Sequence, residues 1–520
     1  MKRSSLVLAL CAVALSGPAA DRPPLAPFEI AAVPASGHPI DVRLEAGLKK
    51  RGIHPAYLCS DAVFIRRAYL DVIGTLPEPQ DVRRFLSDTS PDKRTALIET
   101  LFSRPEFADY WAMKWCDLLR VKAEFPINLW PNAVQAYHRW LVGAMRDNMP
   151  YDGFARELLT TSGSNFRQPQ VNFYRAVQGR EPTALAGAVA LTFMGTRLDA
   201  WPEERRQGMA AFFSRLDFKK TAEWKEEIVL CDATPAGPLR ATFPDGKSVV
   251  IPPEKDPREV FADWLITPKN PWFAKCAVNR AWAWLLGRGL IHEPDDIRPD
   301  NPPVHPEVLA YLEKELVASG YDMRHVLRLI LTSRAYQQSP IPRGEPAEAE
   351  KYFACYPVRR LDAEILADAL SWLSGVGEEY SSPIPEPFTF TPAWERTIAL
   401  ADGSISSPFL ELFGRPPRDT GLFSERNNEP SDGQRLYLFN SSDVQRKLAR
   451  SQRLSRWVEP ARGNRREAAR QLYLGILSRF PTDAELAAVE RHAQSGGNPR
   501  QVYEDLVWAL VNSKEFLYRH

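Results

Sequence analysis

The sequence is poor in the residues and motifs that build local catalytic or metal sites. It has 8 histidines and 6 cysteines in 520 residues, and no two histidines are close enough to form a local metal-binding pair. It contains no GxSxG, Walker, complete GxGxxG, HExxH or CxxC motif. No metal site is therefore predicted, and any nucleophilic or zinc chemistry would need a site assembled from residues that are distant in sequence.

An excess of charge of one sign is also absent. The net charge is +1, from 66 basic and 65 acidic residues, so no overall field favours nucleic acid or an anionic membrane. Beyond the first twenty residues, no apolar run is long enough to span a bilayer. The 45 prolines are numerous and indicate short helices joined by stiff loops.

The N-terminus has the pattern of an export signal. Two basic residues at positions 2–3 precede an apolar run at 6–15, and small residues follow at 17–20. We therefore predict a signal peptide at residues 1–20 and a periplasmic or secreted mature protein. A buried N-terminal helix and a lipidated Cys11 are the alternatives. The five cysteines beyond residue 20 are an odd, sparse set, which is not a disulfide framework, and the sequence does not pair them.

The two ends of the chain carry the same pattern of residues. The spacing of seven positions near the N-terminus recurs near the C-terminus, which indicates related helical units at both ends. The first set is Arg66, Tyr69, Leu70, Ile73, Pro77, Asp81 and Val82, and the second is Arg470, Tyr473, Leu474, Leu477, Pro481, Glu485 and Leu486.

Periodicity predicts a mainly α fold of two helical domains with a small β-hairpin insertion between them. After a linker at 21–38, helical patterns run through 39–200 and resume at 257–520. The intervening segment, 201–256, contains Asp245-Gly246 between two β-prone runs, which is a strong hairpin signal.

Two polar clusters are candidate ligand-binding sites. The first contains Asp295, Asp296 and His305 on a Pro-rich loop, where carboxylates suit a hard cation but equally suit caps and salt bridges. The second lies in a long loop at 375–430, whose Arg and Asn side chains suit an anionic or sugar-like ligand or anchor the loop to the helices. Its candidates are Arg418, Glu425, Arg426 and Asn428.

Several long motifs occur in an order that resembles a known family. They include RRAYLDVIGTLPEPQDVRRFL, SRPEFADYWAMKWCDLLR and YDGFARELLTTSG in the first half. NPWFAKCAVNRAWAWLLGRGLIHEPDDIRPDNPPVHPEVLAYL, RRLDAEILADAL and RNNEPSDGQRLYLFNSS follow in the second half. Together they resemble an exported planctomycete-type family with a PSCyt (cytochrome-associated) domain followed by a PSD domain, both of unknown function.

One departure from that family bears on cofactors. Many members carry a CxxCHxHP-like motif before a Trp and an Ala-Ala-Phe-Phe run, but the corresponding residues 193–201 here contain neither cysteine nor histidine. Covalent haem needs both thiols and an axial histidine. No cofactor is therefore expected, and a haem-based redox role is disfavoured.

These observations favour an exported, non-enzymatic binding or assembly component, with another exported protein or a glycan as its partner. Resemblance to the family implies an association with polysaccharide use. The alternative is a hydrolase-like enzyme that acts on extracellular polysaccharide, with Asp295 or Asp296 paired with Glu425 as acid and base.

Overall fold

A computed structural model of the chain describes residues 22–30, 36–232, 237–392, 394–461, 463–495 and 498–520. The predicted signal peptide at 1–20 and part of the predicted linker lie outside these residues. Within the part that is described, the protein is mainly helical with small sheets. No helix there is both long and apolar enough to cross a membrane.

Among the described residues, nine α-helices precede the segment predicted to be an insertion, 201–256, and a tenth lies within that segment. Prolines open several of them, because proline suits the first turn, where its missing N–H is not needed. The helices are α1 (Pro39–Lys50), α2 (Asp61–Val72), α3 (Pro79–Ser87), α4 (Lys93–Phe102), α5 (Pro105–Leu118), α6 (Pro131–Arg146), α7 (Tyr151–Thr160), α8 (Asn172–Arg175), α9 (Pro182–Val189) and α10 (Glu203–Ala210).

In the part of the chain that the structure describes, short strands form four small antiparallel sheets. The strands are β1 (Glu29–Ile30), β2 (Leu58–Cys59), β3 (Gly163–Ser164), β4 (Leu216–Lys220), β5 (Glu227–Cys231), β6 (Leu239–Thr242), β7 (Ser248–Ile251), β8 (Arg359–Arg360) and β9 (Tyr518–Arg519). The hairpin predicted around Asp245-Gly246 is present as β6 and β7, with Leu239 opposite Ile251. The three-stranded sheet β3-β5-β4 was not predicted, because β3 is only two residues long and lies far away in sequence.

The second half is again helical and is interrupted by the long loop predicted at 375–430. Its helices are α11 (Pro257–Leu265), α12 (Phe273–Leu286), α13 (Pro306–Ala318), α14 (Met323–Thr332), α15 (Arg334–Gln337), α16 (Pro346–Lys351), α17 (Ala363–Ser374), α18 (Pro408–Leu412), α19 (Asp432–Asn440), α20 (Ser442–Ala449), α21 (Gln452–Val458), α22 (Arg465–Leu477), α23 (Asp483–Gln494), α24 (Pro499–Val511) and α25 (Lys514–Leu517). Capping boxes start α19 and α23, as the spacing of Ser431 with Gln434 and of Thr482 with Glu485 predicts.

The two repeated segments each fold as a pair of helices, α2–α3 and α22–α23, and they contact each other. The buried Arg66 of α2 donates from Nη1 to the carbonyl oxygen of Ile476 at 2.7 Å and from Nη2 to that of Phe516 at 3.1 Å. The two helix pairs that resemble each other in sequence therefore also lie in contact in the fold.

The hydrophobic core runs through both halves. In α5, Phe107, Trp111 and Trp115 follow one another at intervals of four residues, a spacing that predicts an aromatic stripe on one face of the helix. Trp111 and Trp115 are each 4% exposed. Their ring centroids lie 5.7 Å and 5.6 Å from that of Trp284 in α12. The stripe is therefore buried core that joins the two helical halves, as its spacing indicates. All five cysteines of the described residues are free thiols.

Candidate functional site

The acidic loop predicted as a ligand site is largely engaged in internal contacts. Asp295 is fully buried: its Oδ1 accepts from Arg280 Nη2 at 2.8 Å, and its Oδ2 accepts from the backbone N–H of Phe423 at 2.5 Å. Asp296 is partly exposed and pairs with Arg298, with 3.1 Å between Nε and Oδ2. Asp295 thus ties α12 to the long loop instead of facing a ligand.

His305 lies at the start of α13 and is 1% exposed. Its Nε2 lies 2.8 Å from the carbonyl oxygen of Tyr352. Burial lowers the pKa of this imidazole, so the ring is neutral near pH 7. Among the described residues, no group of three or more His, Cys, Asp or Glu side chains is placed to hold a metal ion.

Glu425 closes a turn of the long loop. Its carboxylate accepts from the backbone N–H groups of residues 419–421, at distances between 2.7 and 3.4 Å. It also accepts from the hydroxyl of Thr420 at 3.0 Å. The Glu425 side chain therefore orders the loop that contains the other candidates.

Arg426 is the centre of a buried ionic network that links the two halves of the chain. Its Nη2 lies 2.7 Å from Asp117 Oδ2 on α5, and its Nη1 lies 2.6 Å from Glu364 Oε2 on α17. Arg418 donates from Nε to the other oxygen of Asp117 at 3.0 Å. Burial disfavours the charged form of Glu364, but Arg426 and then Arg415 outweigh it and lower its pKa to about 2.

Asp362 forms the second half of this network. It accepts from Asn428 Nδ2 at 2.6 Å, from Lys114 Nζ at 2.7 Å and from Arg519 Nη2 at 3.0 Å. Burial alone would raise its pKa, but the charges of Arg519 and Lys114 hold it well below its ordinary value. In the structure, Arg418, Arg426 and Asn428 thus hold the long loop against the helices.

A large open cleft lies beside this network. It has a volume of about 740 Å³ and lies between α6 and residues 387–405 of the long loop. Phe388 and Phe390 are 53% and 69% exposed, so two aromatic faces on this wall are presented to solvent. Its lining includes Gln135, His138, Arg139, Phe388, Phe390 and Asp402.

Three residues that line the cleft each have a buried polar atom with no hydrogen-bond partner among the described residues. These atoms are His138 Nε2, Thr389 Oγ1 and Asp402 Oδ2. Burial, together with the charges of Arg418 and Arg139, lowers the pKa of His138 to about 4, so its ring is neutral at pH 7. Buried polar atoms are normally paired, so these three, which come from both walls of the cleft and have almost no accessible surface, need a bound water or a side-chain movement that lets a ligand reach them.

Two carboxyl groups also line this cleft, Asp109 from α5 and Glu395 from the loop. Burial raises the pKa of Asp109, and the charge of Glu106 adds to this against that of Arg396. Burial likewise raises the pKa of Glu395, and the charges of Asp109 and Asp368 raise it further. Carboxyl groups with raised pKa values in one cleft are typical of binding and acid–base sites.

Comparison with family models assigns most of the chain to two domains of unknown function. PSCyt2 (DUF1549) matches residues 39–215, and PSD1 (DUF1553) matches residues 257–493. The chain contains a PSCyt2 domain followed by a PSD1 domain. No curated protein and no solved structure matches it.

The cleft lies where the two matched domains meet, since α6 belongs to the PSCyt2 match and residues 387–405 belong to the PSD1 match. Sequence analysis did not single out Asp109, His138 or Glu395. The one available signal was the unusual length of the loop at 375–430, because long loops in a packed domain are often functional. The two charge-dense clusters, which contain Asp295 and Arg426, instead form hydrogen bonds and ion pairs within the protein.

Proposed function

We propose that this PSCyt2–PSD1 protein is an exported glycan-binding component whose interdomain cleft holds an oligosaccharide. Export rests on the basic start and apolar run at residues 2–15. Glycan binding rests on one observation, the combination in a single cleft of exposed aromatic faces with buried polar atoms that lack partners.

The chemistry of the cleft suits a sugar chain. The C–H faces of a sugar ring stack on aromatic rings, and Phe388 and Phe390 offer two such rings on one wall. Sugar hydroxyls both donate and accept hydrogen bonds, which suits the exposed Gln135 and Arg139 side chains that line the cleft. The volume, about 740 Å³, is within the range of ligand-binding pockets.

The test is calorimetric titration of the purified chain with a panel of neutral and acidic oligosaccharides. We expect at least one class to bind, and Phe390→Ala to weaken its binding at least tenfold. Phe125→Ala is the matched control, because Phe125 is 76% exposed and does not line the cleft. Absence of binding across the panel, or equal losses in both variants, would contradict the proposal.

A second candidate function, glycan hydrolysis, is favoured by Asp109 and Glu395. A glycosidase needs one protonated and one ionised carboxyl group in its cleft, and a raised pKa, which burial gives to both Asp109 and Glu395, suits the protonated acid of such a pair. The sequence suggested Asp295 or Asp296 with Glu425 as acid and base. In the structure, Asp295 and Glu425 instead form hydrogen bonds within the protein.

The two functions differ in what the carboxyl groups do once a glycan is bound. Release of reducing ends by the unmodified chain, lost in Asp109→Asn and in Glu395→Gln while glycan affinity is retained, would establish hydrolysis. Unchanged glycan after prolonged incubation, with affinity measured on the same sample, would leave binding as the function.

A further inference from the structure

A second depression lies in the C-terminal part of the chain, away from the cleft. It is a groove of about 810 Å³ formed by α20, α21 and α24. Leu448, Leu454, Leu472, Val507 and Trp508 make its apolar lining. The indole Nε1 of Trp508 is buried and has no hydrogen-bond partner among the described residues.

The apolar surface continues beyond one end of the groove. The ring of Phe439 on α19 lies 5.4 Å from that of Trp508 and is 38% exposed. Leu436, one turn earlier on the same helix, is 60% exposed. Contiguous exposed apolar surface of this kind marks an interaction site more often than isolated residues do.

Two of the helices that form the groove carry an excess of positive charge. Over α20 and α21, positions 442–458, the chain has five cations, Arg446, Lys447, Arg450, Arg453 and Arg456, and one carboxylate, Asp443, which lies within 3.5 Å of both Arg446 and Lys447. Glu459 and Glu504 also line the groove, and Glu504 pairs with Arg500 at 2.8 Å. Some pair with acids elsewhere, such as Arg453 with Glu78 at 3.0 Å. Arg450 and Arg456 are exposed, and neither forms an ion pair within the part of the chain that the structure describes. This local charge contrasts with a whole chain that is close to neutral.

We propose that this groove docks an acidic amphipathic helix of a partner protein. An amphipathic helix places its apolar face in an apolar groove formed by helices, which is a recurring mode of recognition. Glutamates and aspartates that flank that face would meet Arg446 and Arg450, which line the groove, and Arg456 on α21 would add to the positive field beside it. Complementary charge would set both orientation and association rate. A concave groove suits a helix better than it suits a flat bilayer. This inference does not depend on the glycan-binding cleft.

The test uses the full chain and a labelled peptide of about 18 residues, long enough to form a helix. Leucines occupy one face of the peptide and glutamates the other, and a matched peptide carries lysines in place of the glutamates. Fluorescence anisotropy should show binding of the glutamate peptide, weakened by salt, and much weaker binding of the lysine peptide.

Charge-reversal variants distinguish binding in the groove from non-specific electrostatic attraction between the peptide and the chain. The triple change Arg446→Glu, Arg450→Glu and Arg456→Glu should weaken binding of the glutamate peptide at least tenfold. The control triple Lys219→Glu, Lys220→Glu and Lys269→Glu reverses equally exposed charges elsewhere and should leave it unchanged.

Phe439→Ser changes no charge and should weaken binding severalfold, because it removes apolar contact at the end of the groove. Thermal melting of each variant checks that it folds. Equal binding of both peptides, or insensitivity to Phe439→Ser, would overturn the proposal. Sedimentation of the chain with vesicles of anionic phospholipid, abolished by the same three arginine changes, would overturn it in favour of a membrane surface.

Discussion

Replacing Arg426 with methionine should destabilise the protein more than almost any surface change. Its guanidinium makes four short contacts with two carboxylates: 2.7 and 3.2 Å to Asp117, and 2.6 and 2.9 Å to Glu364. The Glu364 side chain is 1% exposed, and its next cation, Arg415, lies 3.6 Å away. Arg426→Met therefore leaves Glu364 buried with weakened compensation.

Removing one partner of a buried ion pair typically costs about 3–5 kcal/mol, because the remaining charge stays desolvated. We expect a loss of that size in the free energy of unfolding, measured by urea denaturation with tryptophan fluorescence and circular dichroism. The double variant Arg426→Met with Glu364→Gln should recover part of the loss, because the stranded charge is then absent.

Arg298→Met is the matched control. Arg298 also pairs with a carboxylate, but its side chain is 52% exposed. Exposed ion pairs contribute about 0–1 kcal/mol, so its loss should be small. A loss below about 1 kcal/mol for Arg426→Met, or no recovery in the double variant, would refute the view that this network holds the two domains together.

Three further predictions concern packing, thiols and pH. Gly475→Ala should destabilise by about 1–3 kcal/mol, because its new Cβ would lie 2.2 Å from Trp457 Cζ3. Gly344→Ala, which meets no atom within 4 Å, should be nearly neutral in the same denaturation assay. Burial raises the pKa of Cys116 to about 12, so this thiol should react with a thiol reagent only after unfolding, as mass spectrometry of the labelled protein would show. Burial opposes ionisation of Glu364, but its arginine partners lower its pKa from an ordinary 4.5 to about 2. Its contribution to stability should therefore be complete above pH 4.5 and lost as pH falls towards 2, and Glu364→Gln should flatten the measured stability across that range.

Local sequence patterns predicted the elements whose signals are short in range. The capping boxes at Ser431 and Thr482 depend on side chains three residues apart, and both are present. The Asp245-Gly246 hairpin depends on a turn between adjacent runs, and it is present as β6 and β7. The aromatic stripe through Trp111 was expected in the core because its residues share one face of a helix, and it is buried there.

The candidate site could not be predicted in the same way, because charge density along the chain does not reveal pairing in space. Arg426 and Asn428 are close to acids in three dimensions that are far away in sequence, 309 positions for Asp117 and 66 for Asp362. The charged and polar residues that appeared free to bind a ligand in the sequence are therefore paired with other residues in the folded protein. The cleft instead combines Asp109, His138 and Glu395, which lie on separate elements and form no motif.

The helical class, the hairpin, the repeated helix pairs and the two domains of unknown function can all be inferred from the sequence alone. These follow from periodicity, capping and turn chemistry, which act between residues a few positions apart, and from long motifs in a fixed order. Which charges are buried in pairs, and which polar atoms lack partners beside an open cleft, is set by the folded structure. Burial and pairing depend on which distant segments pack together, so they cannot be predicted from a local sequence pattern.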